Sequence, residues 1–271
     1  MDLRARGLSF SYHEDWVLKD LDFLLSGGDL SCILGSNGAG KSTLLKSLNG
    51  LVEAKKGSIE LDERKLEDMK RSELARQIAY VPQQQESTLL SVFEVVLLGR
   101  IPHMGWSMSD RDYEVAEDCL ELLGLEKLSS RPLDNLSGGE RQKVAIARAL
   151  AQEPEVILLD EPTSNLDLRS SFSLMEFLQR LAREWGANVI VAIHDLNMAM
   201  RYGDRFLFLV HGSLHSLTDR DGLNSKLLSE VYGLDVSLEV VKGHPIFIPD
   251  GSNLGSDLGS SLGSDTRKGK S

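Results

Sequence analysis

Gly35, Gly40, Lys41 and Ser42 stand at the spacing G-x-x-x-x-G-K-[ST] within GSNGAGKST. Glycines at this spacing let the backbone curl until its N–H groups point at phosphate oxygens, and a helix that follows adds its positive end. Lys41 is then placed to reach the β- and γ-phosphates of a nucleotide, and the Ser42 hydroxyl to ligate Mg²⁺. The candidate cradle is Gly35, Ser36, Asn37, Gly38, Ala39, Gly40, Lys41, Ser42 and Thr43.

A second chemical group lies in VILLDEP, where an apolar run ends in Asp160 and Glu161. Ligands in open α/β sheets bind at the carboxyl ends of strands, so Asp160 is a candidate Mg²⁺ holder, mostly through water. Glu161 is placed to orient or deprotonate an attacking water. Taken alone, the pair reads equally well as a cap on the turn before Pro162. A third group is Ser137, Gly138 and Gly139, which open a helix. With Glu140, Ser137 fits a reciprocal cap, and free N–H groups there make an anion site.

These groups need elements to hold them. Leu30 to Leu34 is a short apolar run leading into Gly35, a strand by this reading. Leu44, Leu45 and Leu48 then form a helical stripe that Gly50 stops. Ile78 to Val81, Val156 to Asp160 and Val189 to Ile193 are further apolar runs suited to strands buried on both faces of a parallel sheet. Helices expected over Gly138 to Gln152 and Leu168 to Trp185 complete an α/β doubly wound pattern. Ser91 to Leu150 breaks that alternation. Ser91 and Glu94 can cap a helix through Leu98, and Tyr113 to Leu123 carries Ala116, Leu120 and Leu123 on one face. The expectation is an inserted helical subdomain, with ordinary crossover helices as the alternative.

The chain has 271 residues and 41% hydrophobic content, enough for one sizeable α/β core. No apolar run approaches the roughly 18 to 20 residues that span a bilayer. MDLRARGLSF lacks the apolar core of a signal peptide, so a cytoplasmic protein is expected, joined to any membrane through a partner. The net charge of −11 argues against general nucleic-acid binding. Cys32 and Cys119 sit in apolar contexts and read as reduced, buried hydrophobes. Beyond Asn253, Gly, Ser and Asp dominate, and residues 251–271 are expected to form a flexible tail.

LSGGERQKVAIARAL, Leu136 to Leu150, lies between GSNGAGKST upstream and VILLDEPTSNLD downstream. In this order the three stretches resemble the ATP-binding cassette ATPases, the paired motors of ABC transporters. The resemblance runs from about Leu3 to about Pro249. It implies a P-loop NTPase core of mostly parallel sheet flanked by helices, with an N-terminal antiparallel β region. The ATPase domain then covers 1–250, with a helical subdomain inserted over about 87–150. It also implies a head-to-tail pair of chains, in which Ser137, Gly138 and Gly139 of one bind the γ-phosphate held by the other.

Further roles follow from the same resemblance. Gln83, in YVPQ, contacts Mg²⁺ or the attacking water and opens a loop toward a membrane partner; Gln84 and Gln85 follow, so the position is open by one. His194 touches the γ-phosphate and the catalytic Glu161. SNLD, with Asp167, joins the two sites, although Asn165 stands where the family has alanine. Tyr12 stacks on adenine, with a core-packed strand tyrosine as the alternative. ATP and Mg²⁺ are the implied cofactors.

HDLNMAMRYGDR and VVLLGRIPHMGW resemble the ATPases of iron-siderophore, haem and cobalamin importers. Zinc/manganese and molybdate importer ATPases are the alternatives, and a soluble non-transport ATPase is a more distant one. Importer membership implies a separate integral-membrane permease, a solute-binding protein acting through it, and a place on the cytoplasmic face of the membrane.

Overall fold

The computed structural model describes residues 1–84 and 87–250. The expected tail at 251–271 lies outside the described residues, as does Gln85. Two sheets are stacked with a helix between them. The first is antiparallel and starts with β1 (Leu3–Tyr12), β2 (Asp15–Leu25) and, after β3 (Leu30–Leu34), β4 (Lys56–Leu61) and the short β5 (Arg64–Lys65). Its order is β2-β1-β4-β5.

The second sheet is built on β3. It adds β6 (Ile78–Val81), β7 (Val156–Asp160), β8 (Asn188–Ala192), β9 (Arg205–Val210) and β10 (Ser213–Asp219), in the order β10-β9-β3-β8-β7-β6. All its pairings are parallel except β10 with β9. Parallel neighbours need crossovers, and helices supply them. They are α1 (Lys41–Leu48), α2 (Arg71–Gln77), α3 (Val92–Leu97), α4 (Asp110–Leu122), α5 (Gly138–Leu150), α6 (Leu168–Trp185) and α7 (Leu196–Tyr202). Helix α8 (Ser225–Tyr232) and a hairpin of β11 (Val236–Val241) and β12 (His244–Pro249) follow.

The continuous apolar strands are explained by two cores, one on each face. Along β7, Val156 and Leu158 face α1 and the antiparallel sheet, while Ile157 and Leu159 face α5 and α6. In β8, Ile190 and Ala192 take the first face and Val189 and Val191 the second. Alternation of side chains therefore buries every residue of these strands.

Boundaries moved by a residue or a few. Strand β8 starts and ends one residue early, because Asn188 is fully buried and donates to the Leu25 carbonyl at 2.9 Å. Helix α4 starts at Asp110 rather than Tyr113, because the Asp112 carboxylate accepts from the amide and hydroxyl of Ser109 and closes the first turn there. Helix α3 stops at Leu97, and the chain tightens into a 3-10 turn over Leu98–His103 that accommodates Pro102. Helix α5 ends at Leu150, where the expected span ran to Gln152.

The segment carrying α3 and α4 adds no strand to either main sheet. Its apolar residues do not form a core of their own. Val92, Val96, Ala116 and Leu120 belong to the same buried cluster as Ala79, Val81 and Leu159 of the sheet. Its junction with α5 uses the GR pair of VVLLGRIPHMGW. A Cβ on Gly99 would lie 2.2 Å from the Arg148 carbonyl oxygen, so only glycine lets the 3-10 turn approach α5 this closely. Arg100, 4% exposed, then donates to Asp112 at 3.0 Å, to the Ala151 carbonyl at 2.7 Å and to Glu153 at 2.7 Å. One guanidinium fork thus ties the inserted helices to the end of α5. The Ser109 amide and hydroxyl, with Arg100, push the Asp112 carboxyl down to about 2.

Removing one partner of a buried ion pair costs about 3 to 5 kcal/mol. Arg100→Ala is therefore expected to lower the urea midpoint of the chain markedly, and Arg100→Lys, which cannot fork, to fall between it and the wild type. Because the folded Asp112 titrates below its unfolded value of about 3.9, its contribution is complete above that pH. It is lost as the pH falls toward about 2. Denaturation midpoints measured from pH 6 down to 3 check both statements.

Candidate ATPase site

The phosphate loop leaves β3 and enters α1 without any side-chain cap. Gly40, immediately before α1, takes φ 101°, a left-handed conformation open to glycine. A Cβ there would also lie 2.9 Å from Leu18 and 3.1 Å from the Val17 carbonyl of β2. The uncapped N-terminus of α1 leaves its amides free for an anion, as the sequence pattern requires. The Lys41 ammonium donates to the Gly35 carbonyl at 2.9 Å and the Ser36 carbonyl at 3.1 Å, curling the loop around it. Burial holds Lys41 below the usual lysine range, opposed by the charges of Glu161 and Asp160.

Asp160 ends β7 at 3% exposure. The Ser42 hydroxyl donates to one carboxylate oxygen at 3.0 Å, and the Tyr80 hydroxyl from β6 to the other at 3.3 Å. Glu161 follows at φ 48°, a conformation that non-glycine residues rarely adopt. Its amide donates to the Ala192 carbonyl at 3.0 Å, which anchors the turn to β8. The Gln83 amide donates to one Glu161 oxygen at 2.7 Å, and His194 Nε2 meets the other. Two residues, from beyond the ends of β6 and β8, therefore converge on the carboxylate that follows β7.

A cavity of about 340 Å³ lies beside this group, lined by Val17, Asn37, Gly38, Gly40, Lys41, Ser42, Thr43, Glu161 and His194. Asp160 with the Ser42 hydroxyl offers hard oxygen donors at its edge. Groups of three or more His, Cys, Asp or Glu at metal-binding distance are absent among the described residues. Few protein ligands suit Mg²⁺, which keeps several waters and shares phosphate oxygens.

The remaining sequence-derived candidates lie apart. Ser137 caps α5; its side chain accepts from the Glu140 amide at 3.3 Å, and Glu140 accepts from the Ser137 amide and hydroxyl at 2.8 and 2.7 Å. Those two Ser137 contacts hold the Glu140 carboxyl below its usual range. Asp167 caps α6 by accepting from Ser170 at 2.8 and 3.0 Å. Ser137, Gly138, Gly139 and Asp167 line a separate groove of about 650 Å³. Gln142, 5% exposed, borders that groove, and its side-chain Nε2 is without a hydrogen-bond partner.

Tyr12 is half-exposed at the end of β1, edge-on to Phe10 at 4.8 Å, and does not line the phosphate-loop cavity. Its ring therefore rests against the core residue Phe10 on one side and is exposed on the other. Cys32 and Cys119 are free thiols, and burial pushes both up to about 12. Sequence reasoning missed Val17 and Tyr80. Tyr80 shares a strand face with Ile78, the face toward α1, which is a detectable signal. Val17 is brought in only by the antiparallel sheet, and nothing local marks it.

Strand, glycine loop, helix and a strand one place removed in the sheet, ending in buried Asp160, together define a P-loop nucleotide-hydrolysing fold. The family model described as "ABC transporter" matches residues 18–164. An uncharacterized ABC transporter ATP-binding protein of Methanocaldococcus jannaschii is 43% identical over 251 residues, covering 93% of this chain and 99% of that protein. The petrobactin import ATP-binding protein FpuC of Bacillus anthracis is 34% identical over 244 residues, covering 89% and 90%. Among solved structures, an inward-facing metal-chelate type ABC transporter matches with TM-score 0.79 at 32% identity, over 91% of this chain and 96% of that one. A dimeric cassette in a post-hydrolysis state with ADP and Pi matches with TM-score 0.72 at 31% identity, over 82% and 100%. The chain belongs to the ABC transporter family and is its ATP-binding, ATP-hydrolysing component.

A fixed positive charge aimed at phosphates is worth on the order of 3 kcal/mol. Lys41→Ala is expected to weaken nucleotide binding or phosphate alignment on the order of 100-fold. Calorimetric titration with ATP measures the first, and unchanged affinity together with unchanged turnover contradicts the role given to Lys41.

Proposed function

We propose that this chain is the ATPase subunit of an importer, working as a head-to-tail dimer and powering uptake of a metal chelate of the iron-siderophore, haem or cobalamin class through a separate permease. The observation that carries the dimer is the separation of two half-sites on one chain. The phosphate loop with Glu161 lines one cavity; the Ser137–Gly139 turn, with its helix end, lines another. A second copy turned head to tail supplies to each phosphate loop the anion-binding turn it lacks. The substrate class rests on the relatives, named for import of petrobactin, hemin and iron(3+)-hydroxamate.

In this reading ATP lies along Gly35 to Thr43 with its adenine toward Tyr12. Asp160, Ser42 and Gln83 would hold Mg²⁺, which would supply charge neutralisation for the phosphates. Glu161 accepts a proton from the water that attacks the γ-phosphorus, and the bond to the β–γ bridging oxygen breaks to release ADP. His194 holds the Glu161 carboxylate and faces the γ-phosphate. Gln83 reports the state of that site to the segment beyond it. Ser137, Gly138, Gly139 and Asp167 act on the nucleotide of the partner copy.

The ATPase unit spans 1–250, with the helical insertion at about 87–150. Among the described residues no helix is long and apolar enough to cross a membrane. The chain therefore reaches the cytoplasmic membrane face through the permease, and a solute-binding protein acts only through that permease. Nucleic acid is not a partner in this reading. The docking face lies in Ser87 to Gly105. Val92, Val95 and Val96 of α3 are committed to the core, but Leu89, Leu98, Ile101 and Met104 are exposed, as is adjacent Trp106. Exposed large apolar side chains gathered in one stretch of the chain support this reading.

Glu161→Gln keeps the side chain's shape and removes the base, a loss of about 10² to 10⁴ in rate. The variant is expected to elute as a dimer on a sizing column in Mg²⁺–ATP, where the wild type returns to monomer after hydrolysis. A variant that hydrolyses at the wild-type rate refutes the assignment. Acidic substitutions at Ile101 and Met104 are expected to abolish substrate uptake by the assembled transporter while leaving the melting temperature and ATP binding unchanged. Unchanged uptake places the permease contact elsewhere.

A further inference from the structure

We infer that α8 and the β11–β12 hairpin form a brace between the phosphate loop and the first turn of α7, with Tyr232 and Asn197 as its positioning residues. The inference rests on the hydrolytic reading of Glu161 and His194 and adds to it a role for the last described elements of the chain.

Four contacts build the brace. Tyr232, at the end of α8, sets its hydroxyl against the backbone of Gly35, the first residue of the phosphate loop, and burial pushes that phenol up to about 12. Its ring packs on Phe247 of β12 at 6.0 Å between centroids. The Phe247 amide donates to the side-chain oxygen of Asn197 at 2.7 Å. The Asn197 amide nitrogen donates in turn to the Phe247 carbonyl at 3.4 Å. Asn197 thus pairs with β12 as a neighbouring strand does, satisfying both outward backbone groups of one residue.

The other side of the hairpin is held in the same way. Leu238 stands opposite Phe247 in the β11–β12 ladder, and its amide donates to the Ser225 hydroxyl of α8 at 3.1 Å. Leu228, Val231 and Val236 are buried in the large core, so α8 and the start of β11 are anchored rather than appended. The hairpin is clamped by a side chain from each of two helices at a single cross-strand pair.

Position along the chain gives the brace its consequence. Asn197 lies three residues after His194, in the first turn of α7. His194 itself is 43% exposed and has Glu161 as its charged neighbour. The Glu161 carboxylate is its ion-pair partner among the described residues, and the helix that follows helps to place it. Gly35 does not line that cavity, but its carbonyl accepts from the Lys41 ammonium at 2.9 Å, and Lys41 does line it. The brace thus connects the residue that seats Lys41 with the helix that follows His194, through side chains outside the cavity lining.

The test uses the full chain with Asn197→Ala, Tyr232→Phe and the double variant. Loss of one or two neutral hydrogen bonds is worth about fivefold to tenfold in a rate that depends on them. Asn197→Ala is expected to lower kcat by about that factor with KM for ATP within about twofold. Tyr232→Phe, on the phosphate-loop side, is expected to raise KM severalfold. The double variant should lose less than the product of the two effects, because both act on one brace. Asn197→Asp keeps the acceptor for the Phe247 amide and should recover most of kcat, which a purely structural loss of stability does not explain.

Amide exchange over residues 193–199 judges the brace without turnover. Tyr232→Phe should speed exchange there, although the substitution lies on another helix. Wild-type kcat and KM in both single variants, with unchanged exchange, overturn the brace. A wild-type chain that binds ATP but never hydrolyses it refutes the hydrolytic reading instead, while the exchange measurement still decides the brace.

Discussion

Two adjacent carboxylates at the end of β7 set the terms for the rest of this molecule. In a strand, successive side chains point to opposite faces, so Asp160 and Glu161 could not serve one site from regular backbone. The left-handed turn at Glu161 breaks the alternation and brings Glu161 to the cavity beside the glycine loop, while Asp160 meets that cavity through Ser42. That conformation costs of order 1 kcal/mol or more and persists because the surroundings impose it. The amide of Glu161 is bonded to Ala192, and its carboxylate is held by Gln83 and His194. Asp160, almost completely buried, has Ser42 and Tyr80 as donors. Negative charge is thus concentrated where a polyanionic nucleotide must bind, and Lys41 and the amides of α1 are the compensating groups.

The segment carrying α3 and α4 answers a different constraint. It joins the large core on one face of the parallel sheet, so movement of α3 relative to β6 must slide packed side chains. Its attachment is specific at one point. Gly99 admits the chain to α5, and Arg100 forks to Asp112, Ala151 and Glu153. A stretch that distinguishes importer ATPases by resemblance is therefore explained here in part by packing. Its GR pair builds the joint, and its Ile101, Met104 and Trp106 remain outside. The same division holds in HDLNMAMRYGDR. His194 faces Glu161, Asp195 caps α7 by accepting from Met198 at 2.9 Å, and Asn197 holds the hairpin.

Much of the architecture was legible because its signals are local. A buried strand announces itself as a short apolar run, and β3, β6 and β7 fall where those runs lie. Helix α6 spans Leu168–Trp185, as expected, and ends before Gly186. The caps at Ser91 and Ser137 form as their spacing to Glu94 and Glu140 indicated. Elements set by long-range contacts were not legible. The start of β8 at buried Asn188, which donates to Leu25, and the packing of Gly99 on Arg148 have no local pattern.

By itself, the sequence determined the glycine loop, the acidic strand end and the capped serine-glycine turn, because each is a short-range chemical pattern. It also determined which strands are buried on both faces, since that needs only unbroken apolar composition. Tertiary structure alone decided that Gln83, Glu161 and His194 meet, since their strands are neighbours only through the order β8-β7-β6. It alone placed Tyr80 on Asp160 and Val17 beside the loop, and kept the Ser137 turn in a different groove from Lys41. The reason is physical: spacing along a chain specifies local backbone geometry, whereas convergence of distant side chains depends on the sheet order and packing of the whole domain.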